Sequence, residues 1–194
     1  RYAELSRRCT ARPRGAERDP DTFFSDHYLR PGARVSDKPW RIEPARADDI
    51  PSLVALLADL FSIEQDFNPD AERQVRGLSA VLSSPTGCIM VARVAQSQVI
   101  AMCSAQLVFS TAEGAPSAWV EDMVVHTEWR GQGVGREVLQ AALDWARAQG
   151  ATRAQLLADV DNHPALAYYQ HLGWSETRLI ARRLSLALNT TGVS

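Results

Sequence analysis

Residues 119–136 read WVEDMVVHTEWRGQGVGR, an apolar run that passes through a glycine-rich turn into the amphipathic segment EVLQAALDWARAQG (Glu137 to Gly150). A strand that enters a helix through such a turn sets an α/β chain and makes a place to hold a phosphate. Gly131, Gly133 and Gly135 let the backbone adopt left-handed angles and approach a ligand with no side chain between. The unpaired N–H groups of the helix's first turn, beginning at Val134, point at an arriving anion, and the helix dipole adds partial positive charge. Arg130 and Arg136 flank this nest and offer charge-assisted hydrogen bonds to the same group.

Two familiar phosphate loops are excluded. A P-loop needs Lys and then Ser or Thr after its last glycine, and Arg136 and Glu137 occupy those places. A dinucleotide fingerprint needs GxGxxG followed by a βαβ unit with a ribose-binding acid, whereas the glycines here run GxGxG. What remains, arginine, two residues, glycine, one residue, glycine, resembles the pyrophosphate loop of the GNAT acetyltransferase superfamily. Downstream, RAQLLADVDNHPALAYYQHLGW (Arg153 to Trp174) resembles the second half of that family's core. Asn162, Ala165, Tyr169 and Gly173 fall at the family's spacing, and Trp174 stands where phenylalanine is usual. The resemblance covers about Trp40 to Leu186. Its mild departures are Trp174 and Gln132, the latter replacing a frequent basic residue in the loop.

Composition narrows the remaining classes. The 194 residues are enough for one domain with a full core and some excess. A net charge of -2 gives no electrostatic footprint for nucleic acid. Cys9, Cys88 and Cys103 are odd in number and widely spaced, which fits neither a disulfide framework nor a zinc site. The expectation is therefore no metal and a reducing, cytoplasmic setting. No apolar stretch approaches the ~18 residues of a membrane span.

The chain divides near Lys38. Residues 1 to 38 hold eight arginines and Lys38 against six acids, are rich in proline, and sustain neither period. They are expected to form a tail or linker, with FFSDHYL (Phe23 to Leu29) as a short docking element, ahead of a domain over 39–188 and a C-terminal tail over 189–194. The chain begins at Arg1 without methionine, so a processed protein or a segment of a longer one is expected, and the second case leaves room for an N-terminal fusion partner.

From Trp40 the pattern predicts a strand (Trp40 to Pro44), then a helix starting at residues 47–49 with Pro51 in its first turn and Leu53, Leu56, Leu57 and Leu60 on one face. A second helix is expected over Ala71 to Ser84. Paired strands follow over Cys88 to Val94 and Val99 to Phe109, around a tight AQSQ connection, and a loop over Thr111 to Ala118. The order βααβββαβα, closed by a last strand over about Thr177 to Leu186, fits the family's twisted mixed sheet flanked by helices. The sheet order is implied by the resemblance alone.

The activity implied is acetyl transfer from acetyl-CoA to an amine by direct attack in a ternary complex. That chemistry needs a base for the amine, donors for the oxyanion and an acid for the departing thiolate. Glu121 and Asp122 interrupt an apolar strand, where an acid is costly unless paired or functional. Strand alternation puts Glu121 on one face with Trp119, Met123 and Val125, and Asp122 on the other with Val120 and Val124. Only one of the two then points at the acceptor, and the resemblance nominates Glu121 as base or water-holder. The structural alternative pairs one acid with an arginine such as Arg93 or Arg153. Tyr169 matches the family's general acid, while Tyr168, about 100° round the helix, is expected in the core. Asn162 resembles the residue that binds the pantetheine arm, and equally suits a helix N-cap ahead of Pro164. The backbone of Val124 and Val125 is expected to pair with the pantetheine amides at a bulge.

Expected acceptor contacts come from the loop between the first two helices (Glu64, Asp66, Phe67), from Asp122, and from Glu113 before the acidic strand. Acids and aromatics suit a cationic amine. A small primary amine, such as a polyamine, amino acid or aminated antibiotic, is favoured over a protein lysine. The competing readings are a catalytically silent acetyl-CoA-binding module regulating a fused partner, and an interaction domain working through the arginine-rich tail. Neither nucleic acid nor membrane is expected as a partner. Homodimerisation is common in such folds, and the sequence does not decide it.

Overall fold

The near-continuous apolar run VIAMCSA (Val99 to Ala105) makes the middle strand of the sheet, buried on both faces by helices from either side. The computed structural model describes residues 38–62, 70–95, 98–184 and 186. All of the expected 1–38 tail but Lys38, including the docking element Phe23 to Leu29, the loop residues Glu64, Asp66 and Phe67, and residues 187–194 lie outside them. The elements run β1 (Trp40–Pro44), a 3-10 turn (Ala47–Asp49), α1 (Ile50–Phe61), α2 (Ala71–Ser83), β2 (Gly87–Val94), β3 (Val99–Ser110), β4 (Ala115–Val125), a second 3-10 turn (Thr127–Trp129), α3 (Val134–Ala148), β5 (Arg153–Leu156) and α4 (His163–His171). The five strands lie in the order β1-β2-β3-β4-β5, antiparallel through β4, with β5 parallel to β4. This is the expected mixed α/β sheet flanked by helices.

Two apolar layers follow from the period of the strands. On one face Ile89, Val91, Met102 and Val124 pack under Leu53, Leu56, Leu57 and Leu78 of α1 and α2. On the other face lie Met90, Ala92, Ala101, Cys103 and Ala105, and α3 covers the sheet with Val134, Val138, Leu139, Ala142 and Trp145. Burying side chains such as Leu53 and Met102 contributes roughly 1.5–3 kcal/mol each. Burial pushes the Cys88 thiol up to about 12 and raises Cys103 as well, so both behave as small apolar residues.

A buried ion cluster fixes α1 to the sheet. Arg93 of β2 donates from both terminal nitrogens to Asp49, at 2.9 and 2.8 Å, and from Nε to Glu43 of β1. Asp49 Oδ2 also accepts the N–H of Arg46 at 2.8 Å, which closes the turn before α1. The predicted pairing of Arg93 with an acid of β4 is therefore not found. Arg153 likewise pairs with Glu113, 3.6 Å away, and lies near Ser117.

Two element boundaries differ from the sequence reading. The 111–118 loop is shorter than expected, because β4 already begins at Ala115 after a tight turn at Gly114. No strand forms over Thr177 to Leu186 among the described residues, where Leu179, Ile180, Leu184 and Leu186 are exposed. Alternation makes a segment able to pair, but the partner comes from the rest of the fold.

Candidate active site

The turn after β4 opens as a nest. Gly131 and Gly133 hold φ of 74° and 89°, and open space surrounds the position a Cβ would take at either one. Helix α3 starts at Val134 with no side-chain cap, and the first internal bond runs from the N–H of Glu137 to the carbonyl of Gly133. The N–H groups of Val134, Gly135 and Arg136 thus lack helical partners and converge on one spot. Gly135 is needed for a different reason, since a Cβ there would sit 2.8 Å from Met123 and 3.1 Å from Val125. Gln132 folds back to donate to the carbonyl of Glu128 at 3.0 Å. The loop is also braced from β1, as the Trp40 indole donates to Glu137 at 3.0 Å and packs edge-on against Trp129.

Beside the nest, β4 loses a neighbour. Its pairing with β5 covers Ser117–Val120 only, so from Glu121 to Val125 one edge of the strand is free of β5. The backbone of Val124 and Val125 lies along that edge, as expected for pairing with an extended ligand. The carbonyl of Val125 here accepts the Arg130 Nε at 2.9 Å, so Arg130 caps the strand end. On the opposite wall Tyr169 of α4 is half-buried, edge-on to Tyr168 and Trp174 at 5.5 and 5.9 Å between ring centres. Asn162 caps α4 by accepting the N–H of Ala165 at 3.2 Å. Tyr168 is half-buried, short of the core position expected of it, and its hydroxyl lies beside Gly135, buried without a protein partner among the described residues.

The acids of β4 are arranged differently from the sequence expectation. Ser104 pairs with Glu121 and Met102 with Val124, leaving Cys103 opposite both Asp122 and Met123. This bulge adds one residue and resets the alternation beyond it. Glu121 and Val124 therefore share the α1–α2 face, while Met123 and Val125 turn toward α3, where both approach Gly135. Asp122 sits at the bulge with φ of 50°, the one positive φ outside glycine among the described residues. Its carboxylate accepts the Ser104 hydroxyl at 2.9 Å, on the Glu121 face. Both acids thus lean to the same side, and the assignment of Asp122 to the face of Val120 is corrected. Glu121 is exposed and accepts the Trp119 indole N–H at 3.0 Å.

Burial raises the Asp122 carboxyl above the ordinary aspartate range, the Ser104 hydrogen bond draws it partly back, and the Glu121 charge raises it further. Ser104, 1% exposed, was not singled out from the sequence. The signal available was a lone hydroxyl inside the apolar run VIAMCSAQL. Glu113 bonds Thr152 at 3.0 Å and ties the turn before β4 to the start of β5, away from the two acids. A concavity of about 290 Å³ near that end, lined by Ala118, Arg147, Arg153 and Trp174 among others, contains no carboxylate.

A glycine nest at an uncapped helix start thus lies beside a strand whose edge, free of β5, carries two acids. The family model described as "Acetyltransferase (GNAT) family" matches residues 51–174, and the chain belongs to that family. It is an acyl-CoA-dependent N-acetyltransferase, and the family uses acetyl-CoA as co-substrate. An aminoglycoside N(6')-acetyltransferase type 1 from Stenotrophomonas maltophilia is 27% identical over 122 residues, covering 61% of this chain and 80% of that protein. N-alpha-acetyltransferase 30 of Schizosaccharomyces pombe is 31% identical over 64 residues, 33% of this chain and 43% of that one. Among solved structures, a soil-metagenome aminoglycoside acetyltransferase with trehalose superposes with a TM-score of 0.64 at 21% identity, covering 78% of this chain and 99% of its own. The same enzyme with sisomicin gives 0.63 at 20% identity, covering 77% and 97%. Among the described residues no helix is long and apolar enough to cross a membrane, and no metal-ligand cluster forms.

Proposed function

We propose that this chain acetylates a primary amine of a small cationic molecule of the aminoglycoside type, by direct attack of the amine in a ternary complex. The observation that carries this reading is the placement of two carboxylates, Glu121 and Asp122, on one face of β4, beside the free edge that leads to the glycine nest. Adjacent acids at the mouth of a groove attract a protonated amine and repel an anionic one. The S. maltophilia relative adds weight to the aminoglycoside class.

The residues divide the work. The N–H groups of residues 134–136, with Arg136 and Arg130 nearby, hold the pyrophosphate, and Asn162 and the backbone of Val124 and Val125 hold the pantetheine arm. The bound co-substrate supplies an activated thioester carbonyl. One of the two β4 carboxylates removes the proton from the ammonium, because only the free amine has a lone pair to attack with. Tyr169 hands a proton to the departing sulfur. Glu64, Asp66 and Phe67 are the proposed remaining acceptor contacts.

The test is acetyl-CoA calorimetry followed by thiol release with sisomicin, spermidine and a peptide with a free N-terminus, using Tyr169→Phe as control. Turnover on sisomicin or spermidine that falls in Tyr169→Phe supports the reading. Turnover on the peptide alone moves the acceptor to protein N-termini. Binding without turnover on any amine leaves a silent acetyl-CoA-binding module as the better account.

A further inference from the structure

Asp122 is held where an ordinary strand residue would not be. Opposite Cys103 the strand carries one residue too many, and Asp122 absorbs the excess at φ 50°. Non-glycine residues avoid that region, aspartate and asparagine least, so the conformation is maintained by its surroundings. The same twist carries the carboxylate to the buried Ser104 hydroxyl, 2.9 Å away, its one protein donor among the described residues. Glu121, next in the chain and on the same face, is exposed to water. Two neighbouring carboxylates thus have opposite surroundings, Asp122 fixed and partly dry, Glu121 held by the Trp119 indole at the wet surface.

We infer that Asp122 is the group that takes the proton from the acceptor ammonium, that Glu121 holds the substrate's charge, and that Ser104 is a positioning residue for Asp122. This deepens the acetyl-transfer reading above and rests on it. In the step, an N–H bond of the ammonium breaks, its electron pair stays on nitrogen as the nucleophile, and the proton moves to an Asp122 oxygen and later to water. No further co-reactant is needed.

The environment agrees with the geometry. A carboxylate in water is a weak base at neutral pH, and raising its proton affinity strengthens it. The titratable group acting on Asp122 is the Glu121 carboxylate; the Cys103 thiol, across on β3, is itself raised by burial and by the Asp122 charge and stays neutral. From α1, Leu53, Leu56 and Leu57 face the sheet, while Asp59 is exposed.

The experiment is the pH dependence of kcat/KM for thiol release with sisomicin in the unsubstituted protein, Asp122→Asn, Ser104→Ala and Glu121→Gln. Acetyl-CoA calorimetry on each checks that the fold is retained. Asparagine tolerates the left-handed backbone, so Asp122→Asn keeps the bulge. Asp122→Asn is expected to lose the acidic limb and on the order of 100-fold in kcat. Ser104→Ala, lacking the donor that favours the carboxylate, moves the limb to higher pH. Glu121→Gln raises the KM for sisomicin and keeps the limb, shifted to lower pH. The assignment is overturned if Glu121→Gln abolishes the limb while Asp122→Asn keeps it, or if Ser104→Ala leaves it in place. If the unsubstituted protein releases thiol with neither sisomicin nor spermidine, the small-cation reading fails and takes this assignment with it.

Discussion

Replacing Arg93 with methionine tests what secures α1 on the sheet. The Arg93 side chain is 3% exposed, and its partners Asp49 and Glu43 are 10% and 18% exposed. Methionine fills much of the volume but strips Asp49 of its bidentate guanidinium and leaves Glu43 only its exposed partners Arg41 and Arg46, and breaking a buried ion pair from one side costs about 3–5 kcal/mol. For a domain of this size each kcal/mol moves the melting midpoint by ~2–4 °C, so a fall of roughly 6–20 °C is expected at pH 7. Burial alone raises both carboxyls, but the hydrogen bonds and charge of Arg93 outweigh it, and both titrate below their ordinary range. Their stabilisation is therefore present above the unfolded carboxyl range near ~4 and lost as pH falls through the lower folded values. In Arg93→Met the burial of the two carboxyls is opposed only by Arg46 at Asp49 and by Arg41 and Arg46 at Glu43, so the folded carboxyls rise and the stability they contribute at neutral pH shrinks. Thermal melts followed by circular dichroism at pH 7 and pH 4 should show the gap between the two proteins narrowing toward acid. A loss under ~1 kcal/mol at pH 7, or a gap that ignores pH, would refute the claim that the cluster behaves as a buried pair.

Gly133→Ala should cost ~1–2 kcal/mol, because the residue sits at φ 89°, and should weaken acetyl-CoA binding in calorimetry; Gly133→Asn, which tolerates that region, should lose less. Asn162→Ala removes the cap of α4 and should lower stability by ~1 kcal/mol in denaturant titrations. Tyr169→Phe should reduce kcat by ~100-fold with unchanged acetyl-CoA affinity, read by thiol release against calorimetry. Asp122→Asn should melt higher than the unsubstituted protein at pH 8, since a carboxyl raised in the folded state withdraws stability as pH climbs through its folded value; the advantage should vanish by pH 4.

Much of this molecule is local in origin and so readable from the chain. The order of strands and helices follows the switch between periods of two and of 3.6, and the nest follows from glycines at a strand-to-helix turn. The face of Asp122 was misread because alternation assumes one residue opposite one residue. Whether β4 holds an extra residue depends on its register against Cys103, and no local pattern records that register. The partner of Arg93 was missed similarly, since Glu43 and Asp49 lie 50 and 44 residues away and meet it only when β1 and α1 dock. Thr177 to Leu186 shows the opposite error, a strand-like composition without a neighbour among the described residues to complete it.

The narrow hold on β5 has a kinetic meaning. Four residues pair with β4 on one side only, and the helix that follows buries none of its residues fully. Amides there should exchange with deuterium through small openings, while those of β2 and β3, fenced on both sides, should wait for global unfolding. A ligand bridging β4 and α4 would slow exchange first at Arg153–Leu156 and His163–His171. At one hundred times its Kd it would add ~2.7 kcal/mol to whichever opening abolishes its site. One wall of the groove is then stiff before anything binds, and the other acquires its stiffness from what it holds.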